Sequence, residues 1–304
     1  MVRAMANPKL PMDRARRFLF WRSPSPPTRP GDGICASATW AWNGVTVAGG
    51  HGAGSGLHQL NNPFGLFVDD DGTIYVADVQ NHRVVKWEEG ASRGHLVAGG
   101  NEAGNYTDQL NQPYDVVVDQ NGTVYISDYV NARVQRWFRG ALSGKTVIRN
   151  IYAVGLAQDE EGSLYISDFK SNTVKKWRQG DSVGQLIISG LNGTELLFVD
   201  RHRSVYISDT WNHRILKIKD GEKQGSIVAG GSYGADASQL NQPYSICVDQ
   251  LGTIYVADTV NHRIMRWPQR AKSGSLIIGG RGQGSQPDQL NFPTGISFDR
   301  EGNL

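Results

Sequence analysis

Residues 78–87 read DVQNHRVVKW, residues 209–218 read DTWNHRILKI, and residues 258–267 read DTVNHRIMRW. Each copy opens with Asp, passes through an Asn-His-Arg turn and ends in an apolar run. A weaker copy, DYVNARVQRW, occupies 128–137, and the divergent DFKSNTVKKW occupies 168–177. Similarity that returns at a regular spacing indicates a chain built from structural repeats.

The sequence around these copies predicts the repeated unit. The opening Asp of each copy ends a Tyr-x-x-Asp strand, and an apolar run with an acidic turn precedes it, as in FGLFVDDDGT at 64–73. A further apolar stretch follows each copy, such as LVAGG at 96–100. The opening aspartates are 50, 40, 41 and 49 residues apart. Four short strands in such a period are typical of a β-propeller blade, whereas β-solenoid repeats are usually shorter.

The five copies resemble the NHL repeat, which is named for Asn-His-Leu at this turn, and the resemblance covers roughly residues 44–304. They are similar to the multi-repeat NHL proteins of the rotifer type and to the NHL domains of TRIM-NHL proteins. The resemblance implies an all-β, TolB-like, six-bladed β-propeller of four-stranded blades, which we expect over residues 38–304. The third copy departs from the pattern, because Ser171, Asn172 and Thr173 stand in place of Asn-His-Arg.

A sixth copy, TGISFDREGN at 294–303, stops where its second strand should begin. We therefore expect the last blade to be truncated at the C-terminus and the sequence to be a piece of a longer chain. The N-terminal strand at 45–48 is expected to complete that blade beside residues 294–298, with at least one strand missing between them. In this interpretation residues 38–42 partly fill the gap.

Residues 1–37 differ in composition from the repeats. They are rich in Arg and Pro and poor in acidic residues, which predicts a disordered basic leader. Their apolar stretch is too short for the hydrophobic region of a signal peptide. A basic start also fits a transit peptide, so the compartment stays open, with the cytoplasm as the default expectation.

Composition limits the function classes. The 304 residues include 31 Lys and Arg against 29 Asp and Glu, a net charge of +2, which argues against a strongly basic nucleic-acid binder. No apolar run approaches the roughly 20 residues that span a bilayer, so we expect no membrane insertion. The two cysteines, Cys35 and Cys247, are too few for a disulfide scaffold or a Cys-rich zinc cluster.

The residues of the repeated turn are interpreted as structural. A carboxylate at a strand end can accept backbone N–H groups of the turn and pair with the Arg five positions later, as Asp78 with Arg83. The same residues recur around a ring, whereas an active site needs one constellation, so we predict no catalytic residue, no metal site and no cofactor. The structural turn residues are Asp78, Asn81, His82, Arg83, Asp128, Asp168, Asp209, His213, Arg214, Asp258, His262 and Arg263.

A linker of the form Gln-Leu-Asn-x-Pro precedes four of the six copies, at 59–63, 109–113, 239–243 and 289–293. It is missing before the third and fourth copies. Since the linker and the turn share one face of a propeller, four blades should carry a raised rim, with a notch over the third and fourth. We predict that a partner docks at this notch, where basic residues gather; accidental drift of the repeats is the alternative. The candidate binding residues are Lys170, Lys175, Arg178, Arg201, His202 and Arg203, and Lys176 is a further basic residue of the same region.

The resemblance to NHL propellers implies a non-catalytic interaction scaffold that presents one face to a protein or peptide partner. Such propellers often belong to larger chains with ubiquitin-ligase modules, but this sequence contains no RING, B-box or coiled coil. We expect a monomer that does not associate with membranes. RNA is the alternative partner, although it would require a strongly basic face.

Two enzyme classes remain as alternatives. Peptidyl-hydroxyglycine amidating lyases are NHL-like propellers that hold zinc with histidines around the central channel, and lactonase-type propellers hold calcium. The histidines of this chain fall at the repeated turn or in loops without metal-like spacing. The loop histidines are His51, His58, His95 and His202. Stoichiometric zinc in the purified protein would favour the lyase over the scaffold.

Overall fold

Twenty consecutive strands of the chain form five antiparallel sheets of four strands each, and every sheet uses its strands in chain order. The structure is a computed structural model, and it describes residues 18–20, 40–41 and 43–304. The innermost strand of each sheet contacts the innermost strand of the next, so the sheets stand side by side as blades. The prediction of a β-propeller with four-stranded blades is therefore confirmed.

A two-stranded sheet of β1 (Phe18–Phe20) and β2 (Val45–Ala48) precedes the blades. The first blade contains β3 (Pro63–Val68), β4 (Ile74–Asp78), β5 (Arg83–Trp87) and β6 (His95–Gly99), and the second contains β7 (Pro113–Val118), β8 (Val124–Asp128), β9 (Arg133–Trp137) and β10 (Lys145–Arg149). The third contains β11 (Ala153–Gln158), β12 (Leu164–Asp168), β13 (Thr173–Trp177) and β14 (Gln185–Ile188). The fourth contains β15 (Thr194–Val199), β16 (Val205–Asp209), β17 (Arg214–Ile218) and β18 (Ser226–Gly230), and the fifth contains β19 (Pro243–Val248), β20 (Ile254–Asp258), β21 (Arg263–Trp267) and β22 (Ser275–Gly279). Single-turn 3₁₀ helices follow the second strands of the first, fourth and fifth blades, at Val79–Asn81, Thr210–Asn212 and Thr259–Asn261.

An aspartate closes the first hairpin of each blade. Asp69 Oδ1 accepts the backbone N–H groups of Asp71 and Thr73, both at 2.9 Å. This local side-chain bond ends the first strand and fixes the register of the second. The bond from the residue four positions later recurs at Asp119, Asp159, Asp200 and Asp249.

The hydrophobic core lies between neighbouring blades. Val84 and Ala98 of the first blade pack with Val116, Ile126 and Trp137 of the second. Fully burying an apolar side chain of this size contributes about 1.5–3 kcal/mol. Trp137, Trp177 and Trp267, together with Ile218 at the same position of the fourth blade, are therefore part of the seams that join each blade to the preceding one.

The prediction of six blades is wrong: the residues that the structure describes form five blades. Residues 294–303 match the start of a blade in sequence but belong to no sheet, since no described strand lies beside them to supply hydrogen bonds. They pass instead between the fifth and first blades. The N–H group of Ile296 donates to Ser245 Oγ at 3.2 Å, and a Cβ atom placed on Gly295 would lie 2.8 Å from the carbonyl oxygen of Phe64.

The expectation that residues 45–48 complete a sixth blade beside residues 294–298 is also wrong, because the two segments share no sheet. Strand β2 pairs antiparallel with β1, with Thr46 opposite Leu19. Trp40 packs between residues 294–298 and the fifth blade. Its ring stacks on Phe298 at 6.2 Å between centroids and meets Tyr255 edge-on at 6.1 Å.

Of the predicted disordered leader, the structure describes only Phe18–Phe20, which forms strand β1. The rest of residues 1–37 lies outside the described residues. In the described part of the chain, no helix has the length and hydrophobicity to cross a membrane.

Candidate functional site: an aromatic surface above a buried carboxyl group

The two ends of the blades define two faces of the propeller. The turn face carries the turns between second and third strands, which begin at Asp78, Asp128, Asp168, Asp209 and Asp258. The hairpin face carries the turns between first and second strands, such as 69–73. In each blade these two ends are separated by a five-residue second strand, a length of about 13–17 Å.

On the turn face, the repeated motif clamps the linker that leads into its own blade. Asp78 Oδ2 accepts hydrogen bonds from Arg83 Nε and Asn81 Nδ2, both at 2.8 Å. Arg83 donates from its other two nitrogens to the carbonyl oxygens of Ser55 at 2.6 Å and Gln59 at 3.1 Å. These contacts support a structural role for the motif, because every nitrogen of the guanidinium donates a hydrogen bond to protein.

The clamp recurs only where a linker is present. In the second and fifth blades, Arg133 and Arg263 bind their Asp and the preceding linker in the same way. In the fourth blade, which lacks the linker, Arg214 donates to Asp209 at 2.7 Å. In the third blade Asp168 is held by Ser171 and Lys175 instead.

The histidines of the motif contact the following linker. The imidazoles of His82, His213 and His262 each accept, through Nδ1, a backbone N–H group of the linker that follows their own blade. They lie in different blades and do not converge. Among the described residues, no group of three or more His, Cys, Asp or Glu side chains is placed to hold a metal ion. The donor set therefore does not fit the zinc site of the lyase alternative.

The six candidate binding residues do not form one surface. Lys170 lies in the turn after Asp168, and Lys175 Nζ reaches Asp168 Oδ2 at 3.4 Å, so both belong to the turn face. The other four lie on the hairpin face, where Arg203 contacts Glu161 of the neighbouring hairpin turn at 2.7 Å. The hairpin-face residues are Arg178, Arg201, His202 and Arg203.

Acidic neighbours offset much of this positive charge. Lys176 is buried and binds Asp159 at 2.8 Å, while Arg203 bridges Glu161 and Asp220. Acidic and basic residues together line a cavity of about 350 Å³ on the hairpin face, made by the turns 159–161 and 200–203. The basic residues that gather in this part of the sequence are thus interspersed with acidic residues in the folded protein.

A run of aromatic rings on the turn face was not foreseen from the sequence. The ring of Tyr129 lies 4.8 Å from that of Tyr114 and 5.8 Å from that of Tyr152, and Phe169 lies 5.8 Å from Trp211. The ring centres of Tyr129 and Phe169 lie 6.5 Å apart, which connects the three tyrosines to Phe169 and Trp211. We call these five rings the aromatic arc. It runs over the second, third and fourth blades.

The missing linkers leave the aromatic arc uncovered. The connection from β10 to β11 and that from β14 to β15 are short, whereas the other blades are entered through linkers such as 100–112. Trp211 is consequently 39% exposed, and Tyr114, Tyr129 and Phe169 are partly exposed. The asymmetry of the linkers is thus the sequence signal that could have located this surface.

Glu195 lies beneath the aromatic arc, in the inner strand β15. The equivalent positions of other inner strands hold Phe64, Tyr114, Val154 and Tyr244. Glu195 is 5% exposed, and its Oε2 atom is buried without a hydrogen-bond partner. Burial raises the pKa of Glu195 to about 8. An alignment of the repeat copies shows an acidic residue at a position that is otherwise apolar, and this signal could have identified Glu195 from the sequence.

A second buried carboxyl group, Asp115, is fully paired. Its Oδ1 and Oδ2 atoms accept the N–H groups of Val116 at 2.9 Å and Leu156 at 2.8 Å, which ties the second blade to the third. Burial raises the pKa of Asp115 to about 7, although both hydrogen bonds act to lower it. Asp115 is thus part of the scaffold, while Glu195 retains an unused acceptor.

Comparisons with known proteins agree with this fold. The NHL repeat family matches residues 60–87, 110–137 and 240–266, which belong to the first, second and fifth blades. No curated protein sequence matches the chain.

Several solved structures are similar in fold. An auxiliary nutrient binding protein from Bacteroides thetaiotaomicron matches over 82% of this chain and 66% of its own, with a TM-score of 0.63 and 16% identity. A chain of the nidogen/laminin complex matches over 84% of this chain and 90% of its own, with a TM-score of 0.61 and 12% identity. A catalytically inactive virginiamycin B lyase from Staphylococcus aureus, with quinupristin, matches over 96% of this chain and 91% of its own, with a TM-score of 0.59 and 12% identity. At these identities the likeness concerns the fold alone. The chain is a β-propeller that carries NHL repeats in three of its blades.

Proposed function

We propose that this chain is a non-catalytic scaffold that binds a protein or peptide partner on the turn face of its second to fourth blades. The observation that carries the proposal is the uncovered aromatic arc, which ends at Trp211. Aromatic side chains are enriched at the centres of protein interfaces, because they bury a large area with few rotatable bonds. Of the basic residues indicated by the sequence, Lys170 and Lys175 lie at this surface.

The electrostatics of the turn face favour a peptide over RNA. RNA binding needs a basic groove in addition to stacking rings. Lys175 is paired with Asp168, and Lys170 Nζ lies 4.7 Å from the centre of the Tyr152 ring. A relation to TRIM-NHL or rotifer-type NHL proteins is part of the same proposal, and any ubiquitin-ligase activity would come from a partner.

The test uses a random peptide library displayed on phage and selected on the whole chain. Affinities of the enriched peptides are then measured by fluorescence anisotropy for wild type, Trp211→Ala and Phe138→Ala. Phe138 is an exposed aromatic residue that follows β9 on the hairpin face, so it is a matched control.

We expect Trp211→Ala to weaken binding by about tenfold or more, which corresponds to about 1.4 kcal/mol. Phe138→Ala should leave the affinity unchanged. Equal effects of the two substitutions, or no enriched peptide, would overturn the proposal. If the wild type binds single-stranded RNA tightly and Trp211→Ala abolishes that binding, the partner is RNA and not a peptide.

A further inference from the structure

We propose that Glu195 is the receptor for a Lys or Arg side chain of the peptide partner, which enters between the rings of the aromatic arc. The inference rests on the proposed function and adds the chemistry of the ligand. It concerns one residue that the repeat pattern does not explain, in a position that is otherwise apolar.

The first argument is the unused acceptor. A buried carboxyl oxygen without a hydrogen bond is unfavourable, because it has lost its hydration shell. Asp115 avoids this cost with two backbone N–H groups, and Asp168, which also has one unpaired oxygen, has Lys175 and Ser171 on the other. In the described residues Glu195 forms no ion pair with any Lys or Arg.

The second argument is the chemistry of the surroundings. A negative charge on Glu195 acts on the hydroxyl groups of Tyr114 and Tyr129, where it adds to the effect of burial and raises the pKa of both. Both tyrosines therefore stay neutral and offer ring faces, which attract organic cations. The same surface already holds one cation in this way, since Lys170 Nζ lies over Tyr152.

The third argument is the match between the aromatic arc and a long basic side chain. Lys and Arg carry an aliphatic stem that packs on apolar surface, with the charge at its tip. The exposed rings of Trp211 and Phe169 can cover the stem, while the carboxylate of Glu195 accepts the charged group. A metal ion fits less well, because it needs several oxygen ligands, and the described neighbourhood supplies one free carboxyl group.

Access to Glu195 requires movement of a ring. Tyr129 is partly exposed and contacts Tyr114, Tyr152 and Phe169 through its ring. For a cation to reach Glu195, which is 5% exposed, such a side chain would have to rotate. The cation would then replace aromatic contacts by an ion pair and a ring contact in a site of low dielectric constant.

One arm of the test is independent of the peptide library. The melting temperature of the whole chain is measured with n-pentylammonium, which mimics a Lys side chain, and with 1-pentanol as the neutral control. We expect pentylammonium to raise the melting temperature of wild type but not of Glu195→Gln, and pentanol to act equally on both. The matched control Glu160→Gln changes an exposed carboxylate on the hairpin face and should respond like wild type.

The second arm uses the selected peptides, with each Lys or Arg replaced in turn by norleucine. One replacement should weaken binding to wild type by about tenfold or more and binding to Glu195→Gln by less than about threefold. Affinity for the basic peptide should also rise with pH between about 7 and 8 in wild type alone, because the cation binds the ionised form of Glu195.

The outcomes separate the two proposals. Peptides that depend on Trp211 but are indifferent to every norleucine replacement would overturn the role of Glu195 and leave the scaffold function intact. Pentylammonium binding without any enriched peptide would leave the cation site intact and overturn the scaffold function. Failure of wild type and Glu195→Gln to differ in either arm would exclude the site.

Discussion

The Nδ1 atom of His82 accepts a hydrogen bond from the backbone N–H group of Gln112 at 3.1 Å. The two residues lie in different blades: His82 ends the turn of the first, and Gln112 belongs to the linker that enters the second. Ala132 occupies the His position in the second blade, and the third blade has no such linker to contact. The His of the motif therefore accompanies the linker of the following blade.

This relationship predicts an asymmetric effect of substitution. His82→Ala should lower the free energy of unfolding by about 1–2 kcal/mol, because it leaves the N–H group of Gln112 without an acceptor. The backbone can keep its conformation, since Ala132 has nearly the same positive φ of 48°. The reverse change, Ala132→His, should have an effect below about 0.5 kcal/mol. Urea unfolding followed by fluorescence measures both, and equal losses would contradict the pairing.

The Arg of the motif should contribute more to stability in a blade where it binds a linker than in a blade that lacks one. Arg83→Ala leaves the buried Asp78 without its cation and the carbonyl groups of Ser55, Gly56 and Gln59 without a donor. We therefore expect the free energy of unfolding to fall by about 3–5 kcal/mol. Arg214→Ala should cost less than half as much, because the side chain of Arg214 is 29% exposed against 8% for Arg83.

Urea unfolding of the two Arg variants is compared at neutral pH, with Arg83→Lys as a third protein. Lys keeps the charge but cannot bind Asp78 and the linker together, so it should recover only part of the loss. Full recovery by Lys would show that charge alone, and not the fork of donors, holds the linker.

Another pair of variants tests the connection between the third and fourth strands of a blade. A Cβ atom on Gly94 would lie 2.8 Å from the ring of Trp87, whereas one on Gly225 of the fourth blade would lie 3.3 Å from Ile218. We expect Gly94→Ala to destabilise by about 1–3 kcal/mol through overpacking and Gly225→Ala to be close to neutral. Thermal unfolding of both variants decides this, and a greater loss for Gly225→Ala would refute it.

Sequence analysis predicted the blades well because their local signals agree. The Tyr-x-x-Asp strand, the turn and the hairpin aspartates each occur in every complete blade, and Asp78 bonds Arg83 as the spacing indicated. The number of blades was wrong, because residues 294–303 match one strand of a repeat, and a sheet also requires the strands beside it.

The candidate binding residues are divided between two faces for a different physical reason. Consecutive residues of a strand point to opposite sides of the sheet, and the two ends of each strand lie on different faces of the propeller, so neighbours in sequence need not share a surface. Lys175 reaches Asp168 on the turn face, whereas the adjacent Lys176 reaches Asp159 on the hairpin face. The aromatic arc unites residues from three blades, which only the ring arrangement brings together.

The buried carboxyl groups predict how stability depends on pH. Burial raises the pKa of Asp115 from 3.8 to about 7 and that of Glu195 from 4.5 to about 8. In the unfolded chain both ionise at about pH 4. Between these values the folded protein binds more protons than the unfolded chain, so the contribution of these groups to the free energy of unfolding falls as pH rises from about 4 to 8.

Glu195→Gln should remove the Glu195 part of this slope. Gln has nearly the same shape and cannot ionise, so its free energy of unfolding relative to wild type should increase by about 2–4 kcal/mol between pH 4 and pH 9. Urea unfolding at several pH values measures the difference, with Glu160→Gln as the exposed control, for which the two curves should run parallel. If Glu195→Gln also runs parallel to wild type, the pKa of Glu195 is nearly the same in the folded and the unfolded protein, which would contradict the effect of burial.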